Sequence, residues 1–454
     1  MITFHDLTDS TDDIATLTRF YETLYVGEFP DPDERDSLAN MIDYLGRRAR
    51  GWYGRNNYHV LLATGADGRP VGASIVDHLA EPNVGVIEFL LVAPEARRFG
   101  VGRQVLARTE QLLAEDACRL DGAPLAAIVA EMNDPLAPSG VRDNLDPATR
   151  ALVWARWGYA GLDFPYVQPA LSAEQVSVTN LIVIAKPLRP DWAGGLPATT
   201  VGLVVREYLR WAMRIDRPDT CADYRRMAEH LAARDTVATL PLAGYVGHDP
   251  ARPLDVREIT DADDLDFAPT MARYREVFGS GGLAVPETDF RRALAGTDYH
   301  LWALRCADAG PVEGLASFFS LPGAGFGGYL ALAGSLRGTG RLRPLVARIE
   351  QRMLRDRPAT RGWYIEVGPA TDPGPFRAIG FREVKVDYRV PPNVPVRLLY
   401  KPFGRCYDPP ELAAGDVLGA VEEILVAAYG VAEPRAHATF RLVAGGLADP
   451  VPLG

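Results

Sequence analysis

Cysteine is scarce in this chain, and the few copies present lie far apart. The 454 residues include four cysteines and seven histidines, and no Cys-x-x-Cys pair occurs. The cysteines are Cys118, Cys221, Cys306 and Cys406. Residues scattered in this way indicate neither a disulfide framework nor a zinc site, so we expect no metal.

Long apolar runs are also missing. No stretch approaches the roughly 20 apolar residues that a membrane-spanning helix needs. The acidic start MITFHDLTDSTDD does not have the basic and apolar regions of a signal peptide. We therefore expect a cytoplasmic protein with no membrane partner.

Positive charge is in deficit: 48 Lys and Arg residues stand against 59 Asp and Glu residues, for a net charge of -11. A general nucleic-acid binder gains affinity by neutralising phosphates, so we expect no nucleic-acid partner. The 47% hydrophobic and 24% charged residues are typical of a globular protein. The length suits two or three domains.

One segment of the chain occurs twice. FLLVAPEARRFGVG at 89–102 aligns without a gap with YLALAGSLRGTGRL at 329–342. In both, an apolar strand leads into an Arg-x-x-Gly turn and then an amphipathic helix. A glycine-rich turn of this kind is typical of phosphate binding, because free amides and the helix dipole point at one spot.

The repeat extends beyond this turn. The hairpin patterns at 57–78 and 298–319 match, and so do the helices before them and the strands after them. We predict an α+β fold with a mixed sheet flanked by helices in each half. The predicted domains are 1–249 and 251–454, with helical appendages at 190–249 and 405–454.

The order of these elements carries a family resemblance. A hairpin, then a strand with V-x-P-x-x-R-x-x-G-x-G and a helix, then a strand ending in Glu-Met-Asn, resembles the GCN5-related N-acetyltransferase (GNAT) superfamily. The resemblance covers nearly all of both halves except the helical tails. It implies tandem acyltransferase units with acetyl-CoA or another acyl-CoA as co-substrate.

In that family, the strand before the turn pairs with the pantetheine, and the turn's amides bind the pyrophosphate. The resemblance assigns the pantetheine to Leu91 and Val92, and the pyrophosphate to Arg97, Arg98, Phe99, Gly100, Val101, Gly102 and Arg103. We expect glycine at two of these positions because a Cβ would obstruct the phosphate.

The second copy departs from this pattern. It keeps Arg337 and Gly340, but Leu342 stands where the first copy has Gly102. We expect the isobutyl group to crowd the diphosphate. The C-terminal unit would then be degenerate and would complete an intramolecular pseudo-dimer with an active N-terminal unit.

Two carboxylates are candidates for the base that deprotonates an amine. Glu88 precedes the motif strand's apolar end, and its counterpart in the second copy is Gly328. Glu131 lies on an otherwise apolar strand, but its counterpart Glu366 is retained, which favours a structural role in both halves.

The general acid and the acceptor site are less well marked. Relatives often carry a tyrosine where this chain has Trp154, so Tyr159 is the candidate acid, with Tyr166 or water as alternatives. The candidate acceptor-binding residues are Glu28 and Asp31 in an acidic loop and His78 at the end of the hairpin. His59 and His300 occupy the same position in both copies, which favours a shared structural role.

The sequence thus predicts transfer of an acyl group from a CoA thioester to an amine of a small molecule. One alternative donor is the acyl-phosphopantetheine arm of an acyl carrier protein, as in natural-product biosynthesis. The other alternative is a non-catalytic protein that binds CoA or a metabolite.

Overall fold

The computed structural model describes residues 2–30, 35–137, 145–170, 176–247, 254–279, 284–306, 310–337, 341–369, 371–391, 393–404 and 411–454. The chain forms two compact units that meet in sequence between Leu242 and Ala243. A short segment that begins at Leu136 groups with the second unit. We describe each unit by itself.

The N-terminal unit contains strands and helices in alternation. Its strands are β1 (Thr3–Asp6), β2 (Asn57–Thr64), β3 (Pro70–Leu79), β4 (Val84–Val92), β5 (Ala127–Asn133), β6 (Ala160–Leu162), β7 (Leu181–Pro187), β8 (Gly195–Pro197) and β9 (Thr236–Leu240). Its helices are α1 (Thr11–Phe20), α2 (Val26–Glu28), α3 (Leu38–Ala49), α4 (Val101–Asp121), α5 (Pro147–Arg156), α6 (Ala198–Trp211) and α7 (Ala222–Ala232). A short helix, α8 (Leu242–Tyr245), follows where the chain passes into the second unit.

The strands of this unit form one sheet in the order β1-β2-β3-β4-β5-β7-β6-β9-β8. The pair β4 and β5 is parallel, whereas the pairs on either side of it are antiparallel. The parallel pairing ends where Ile87 lies opposite Ala130. Beyond that point the two strands separate.

Alternation along β3 assigns its side chains to the two faces of the sheet. Ala73 and Ile75 pack in the core beneath α1 and α3. Between them, Ser74 shares a 2.6 Å hydrogen bond with Thr109 of α4 on the opposite face. Helices therefore cover both faces, as predicted.

The C-terminal unit repeats this plan. Its strands are β10 (Asp255–Ile259), β11 (Tyr299–Arg305), β12 (Gly314–Ser320), β13 (Gly325–Leu332), β14 (Gly362–Val367), β15 (Arg382–Glu383), β16 (Tyr388–Val390) and β17 (Val394–Pro402). Its helices are α9 (Phe267–Phe278), α10 (Glu287–Leu294), α11 (Leu342–Asp356), α12 (Gly374–Ala378), α13 (Ala414–Ala427) and α14 (Ala438–Gly446).

The second sheet has the same internal order, β10-β11-β12-β13-β14-β17-β15, with β16 paired to β17. Its parallel pair, β13 and β14, also separates after a short contact, at Gly327 opposite Ile365. The predicted duplication and the α+β architecture of each half are therefore confirmed. No helix in the described part of the chain is both long and apolar enough to cross a bilayer.

A buried histidine ties three elements of the N-terminal unit together. His59 on β2 contacts Asp6 on β1 through Nδ1 and Asp116 on α4 through Nε2, each at 2.8 Å. Burial by itself lowers the pKa of His59, but the hydrogen bonds and charges of Asp116 and Asp6 outweigh it and raise the pKa to about 9. The imidazolium is therefore the stable form in the folded protein.

The C-terminal unit has the same tie at the equivalent position. His300 on β11 contacts Glu258 on β10 at 2.8 Å and Asp356 on α11 at 3.0 Å. The shared geometry supports a structural role for both histidines, in line with the sequence analysis.

We predict that the His59 tie makes stability depend on pH. The folded pKa of about 9 lies above the ordinary value of 6.5. The tie is therefore fully present below about pH 6.5 and is lost as the pH rises to about 9. The unfolding free energy of wild type minus that of His59→Asn should fall by up to about 3 kcal/mol over this interval. Denaturant titrations at several pH values measure it, and a constant difference would contradict the assignment.

Candidate functional site

The separation of β4 from β5 leaves one strand edge open. Residues 89–92, which include Leu91 and Val92, pair with β3 on one side. Among the described residues no strand pairs with their other edge, because the β5 pairing ends at Ile87. Free N–H and C=O groups at such an edge can bond an extended amide chain. This edge fits the pantetheine position that the resemblance implies.

The turn after β4 has the backbone of an anion-binding nest. Pro94–Ala96 forms a single helical turn, and then Arg98 (φ 70°) and Gly100 (φ 77°) adopt left-handed conformations. Gly100 is the N-cap residue of α4 and provides no side-chain cap, so the amides of the first turn are open to a ligand. A left-handed arginine is sparsely populated and is typical of functional turns.

The side chains of this turn differ in their environment. Phe99 is 77% exposed, whereas Val101 is buried against the sheet. Arg97 braces the turn: its Nε donates to the Val92 carbonyl at 3.2 Å, and it forms an ion pair with Glu28. Glu28, predicted to bind the acceptor, is thus held at the phosphate turn, and Asp31 lies outside the described residues.

The second unit has the same brace, since Arg337 Nε donates to the Leu332 carbonyl at 3.1 Å. Gly340, at the centre of that turn, is outside the described residues. The helix that follows starts at Leu342 and is preceded by the buried Arg341.

Gly102 is closely surrounded by protein side chains. A Cβ there would lie 3.2 Å from both the Trp157 ring and the Val92 side chain. Packing is therefore a second reason for glycine at this position, beside the predicted obstruction of the phosphate. In the second unit Leu342 and Ile379 pack on one core cluster and stand where Gly102 and Trp157 stand. The larger Leu342 is therefore accompanied by a smaller residue at the position of Trp157, and the crowding of a diphosphate by Leu342 stays a prediction.

Two carboxyl groups meet where the strands separate. The register between β3 and β4 shifts between Ile75 and Val76, so Glu88 is the extra residue of a bulge. Asp77 on β3 is fully buried. Burial and the Asp77 charge raise the pKa of Glu88 well above its ordinary value, and burial raises the pKa of Asp77 to about 6. The pair therefore holds one proton near neutral pH, donated by Glu88 to Asp77.

Further acidic groups and tyrosines surround this pair. Asp36 and Glu131 both raise the pKa of Glu88 through their charge. Asp36 itself accepts a 3.0 Å bond from Asn40. The charges of Glu88 and Asp77 add to burial in raising the pKa values of Tyr53 and Tyr58. The site is therefore strongly negative and aromatic.

The predicted appendage forms part of this site. An apolar cavity lies beside the β4–β5 separation, under α6. Its lining residues are Val86, Val129, Ala130, Glu131, Leu162, Phe164, Tyr166, Val183, Leu196, Val201, Val204, Val205 and Tyr208. At the end of α6, Trp211 lies 5.2 Å from Trp52 and 6.1 Å from Tyr53. Helix α6 thus covers the open face of the N-terminal sheet.

The second unit does not have the carboxyl pair. Tyr58 lies opposite Asp77 in the first sheet, and Tyr299 lies opposite Phe319 in the second. Gly328 stands at the position of Glu88. Phenylalanine and glycine therefore replace both acidic groups.

Glu366 does remain in the second unit, at the position of Glu131. Tyr388 donates to it at 2.7 Å, and Tyr429 on the loop after α13 also donates to it. Burial raises the pKa of Glu366 to about 7 despite these two bonds. This carboxyl group is therefore satisfied within its own unit.

The remaining predicted residues lie on other surfaces. Tyr159 donates to Glu110 of α4 at 3.4 Å, and burial raises the pKa of Tyr159 well above its ordinary value. His78 is buried and bonds Asn83 at 3.0 Å. Strand alternation places His78 on the α4 face, opposite Asp77. Sequence reasoning therefore selected His78 and missed its neighbour Asp77.

Comparison with known families bears on the same region. Residues 16–124 match the model of the Acetyltransferase (GNAT) family. This segment contains β2 to β4, the turn and α4, and it is less than half of the chain. The resemblance to the GNAT superfamily is thereby confirmed for the N-terminal unit. No curated protein matches the chain.

Solved structures with similar folds include GNAT proteins. A tandem GNAT protein from the clavulanic acid biosynthesis pathway is 15% identical over 89% of this chain and 100% of its own, with a TM-score of 0.30. The ribosomal-protein-S18-alanine N-acetyltransferase from Escherichia coli is 15% identical over 41% of this chain and 94% of its own, with a TM-score of 0.27. A GNAT-family acetyltransferase from Staphylococcus aureus Mu50 is 12% identical over 42% of this chain and 100% of its own, with a TM-score of 0.29.

We predict that Gly102→Leu lowers the melting temperature, because the new side chain overpacks against Trp157. The double variant Gly102→Leu with Trp157→Ile reproduces the pair found in the second unit and should recover most of the loss. Thermal unfolding measures both, with Trp157→Ile alone as the control. Calorimetry with acetyl-CoA separates two explanations of the glycine: binding retained by the double variant supports packing, and binding lost despite recovered stability supports obstruction of the phosphate.

Proposed function

We propose that the N-terminal unit transfers an acyl group from a CoA thioester to an amine of a small molecule. The observation that carries this proposal is the pair of the buried Asp77 and the half-buried Glu88 at the point where β4 leaves β5. An open strand edge begins at the same point and leads to an uncapped turn before α4, and both are suited to an acyl-CoA. The pair would therefore lie beside the thioester.

The residues present fit such a donor. The turn from Arg97 to Arg103 offers amides and positive charge to a diphosphate, and the edge at Leu91 and Val92 offers main-chain partners to pantetheine. When bound, an acyl-CoA supplies the acyl group and a thiolate leaving group. Metal ligands do not enter the proposal, and no group of three candidate ligand side chains occurs in the described residues.

Glu88 is the proposed general base. An amine acceptor is mostly an ammonium ion near neutral pH and must lose protons before and during attack. A carboxyl group with a raised pKa is a stronger base than an exposed one, so Glu88 can accept a proton from the nitrogen once its resting proton has left. Free N–H groups along 88–92 are placed to stabilise the oxyanion that forms on the thioester carbonyl.

The other predicted catalytic residues have supporting parts in this proposal. Glu131 adds negative charge that helps Glu88 to hold its proton. Tyr159 stays a prediction as general acid; its hydroxyl is engaged with Glu110. The C-terminal unit is proposed to be non-catalytic, because Phe319 and Gly328 replace the carboxyl pair.

We predict that Glu88→Gln lowers kcat about 100-fold or more, the usual contribution of a general base. The affinity for acetyl-CoA should stay within about twofold, because Glu88 lies outside the phosphate turn. Thiol release from acetyl-CoA with a panel of primary amines measures turnover, and calorimetry measures binding.

The matched control is Glu366→Gln, which alters a buried carboxyl group in the second unit and should leave turnover unchanged. Unchanged turnover in Glu88→Gln would exclude Glu88 as the base. Absence of acetyl-CoA binding in wild type would contradict the CoA donor, and acyl transfer from a phosphopantetheinylated carrier protein would then identify the alternative donor.

A further inference from the structure

Several buried polar atoms beside Glu88 are not fully satisfied within the protein. The hydroxyl groups of Tyr53 and Tyr58 have no hydrogen-bond partner. In the described residues, the carboxyl oxygens of Asp77 have no donor except the proton that Glu88 shares with one of them. The exposed fractions are 2% for Tyr53, 1% for Tyr58 and 0% for Asp77. Unpaired polar atoms at this depth are costly, and their presence together indicates a ligand that satisfies them.

Aromatic rings lie around these polar atoms. Tyr53 lies 6.0 Å from Tyr58 in a stacked arrangement, and 6.1 Å from Trp211 of α6. Tyr44 lies 5.3 Å from Tyr58. Aromatic faces attract cations, and the attraction is larger where water is excluded.

The charge of the surroundings also favours a cation. Besides Asp77, the charges of Asp36 and Glu131 affect the pKa of Glu88. The charges of Asp36 and His59 affect the pKa of Asp77. His59 belongs to the tie on the opposite face of the sheet. Arg214 acts on Asp36 but lies 4.3 Å over the Tyr44 ring and pairs with Asp43 at 2.8 Å. Carboxylates therefore outnumber the cations that act on this space.

We propose that Tyr53, Tyr58, Asp77 and Glu88 form an ammonium pocket, which binds the acceptor as a protonated primary amine with an apolar or aromatic body. The inference rests on the proposed function, since it names the substrate class of the same site. The ammonium donates hydrogen bonds to the Asp77 oxygens, contacts the rings of Tyr53 and Tyr58, and lies beside Glu88.

The second unit supports this assignment by contrast. There Phe319 contacts Tyr299 at a ring distance of 4.8 Å, in the place of the Asp77–Tyr58 pair. Glycine at 328 removes the other carboxyl group. A unit without the ammonium pocket fills the space with a ring, as expected if the carboxyl pair serves a ligand and not the fold.

Binding of a cation has a measurable consequence. The Asp77–Glu88 pair holds one proton before binding. An ammonium between the two carboxyl groups stabilises their ionised forms, so the shared proton leaves to solvent. Glu88 then accepts the first proton of the ammonium, and the neutral amine that results attacks the thioester carbon. The nitrogen–carbon bond forms, the carbon–sulfur bond breaks, and its electron pair leaves with the thiolate. The second proton of the nitrogen passes to the ionised Asp77.

The test uses benzylamine and the isosteric neutral benzyl alcohol as probes of the full-length protein. Titration calorimetry near pH 7, in two buffers with different ionisation enthalpies, gives affinity and proton release together. We expect benzylamine to bind at least about tenfold more tightly than the alcohol, and to release up to one proton. Asp77→Asn should abolish the preference, and Tyr53→Phe should weaken it. Glu366→Gln is the control and should behave as wild type.

The variant's folding has its own readout. A buried carboxylate without a cation destabilises the folded state above its folded pKa of about 6. At pH 8, Asp77→Asn should therefore have a higher melting temperature than wild type. At pH 4 the two should differ less, because Asp77 and its asparagine replacement are then both neutral or nearly so. Acetyl-CoA binding by this variant should match wild type.

The outcomes separate this inference from the proposed function. Equal affinity for benzylamine and benzyl alcohol, with acetyl-CoA binding intact, would overturn the ammonium pocket and leave acyl transfer standing. A preference for benzylamine that persists in Asp77→Asn would also overturn it. Amine binding with proton release but without any acetyl-CoA binding would support the ammonium pocket and contradict the CoA donor.

Discussion

Two carboxyl groups that share a proton inside the N-terminal sheet define the chemistry available to this protein. Their contact depends on one local irregularity, the bulge that inserts Glu88 between residues paired to β3. In a regular strand, side chains alternate between the two faces of the sheet. The bulge interrupts this alternation at Glu88. The same point ends the pairing with β5, so the donor edge and the carboxyl pair arise together.

The two units share a backbone architecture and its supporting contacts, and they differ in the side chains at the site. Both have a histidine tie, an arginine brace beneath the turn, and a parallel strand pair that separates. Glu131 and Glu366 occur in both. The pair Asp77 and Glu88 occurs in the first unit alone, and the packing pair Gly102 and Trp157 is exchanged for Leu342 and Ile379. The two units therefore differ in charge and side-chain volume at the site, whereas the contacts that support the fold are the same in both.

Much of this could be predicted from the sequence, because the repeated turn and the hairpin patterns are local. The order of elements, the duplication and the position of Glu88 all follow from such patterns. Asp77 could have been found by strict alternation along β3, which separates it from His78, but its role depends on a bulge in the neighbouring strand. The link from Glu28 to Arg97 and the contact of Gly102 with Trp157 join residues distant in sequence, and no local pattern marks them. The position of α6 over the site likewise depends on tertiary packing and not on its helical pattern.

The shared proton can be observed directly. An infrared difference spectrum between wild type and Glu88→Gln, recorded near pH 7 without ligand, reports the carboxyl stretch of a protonated side chain. The account predicts a protonated carboxyl band in wild type that is missing from the variant. A difference spectrum that contains carboxylate bands alone would show that Glu88 is ionised at rest, and would contradict the proton-sharing pair on which the proposed site depends.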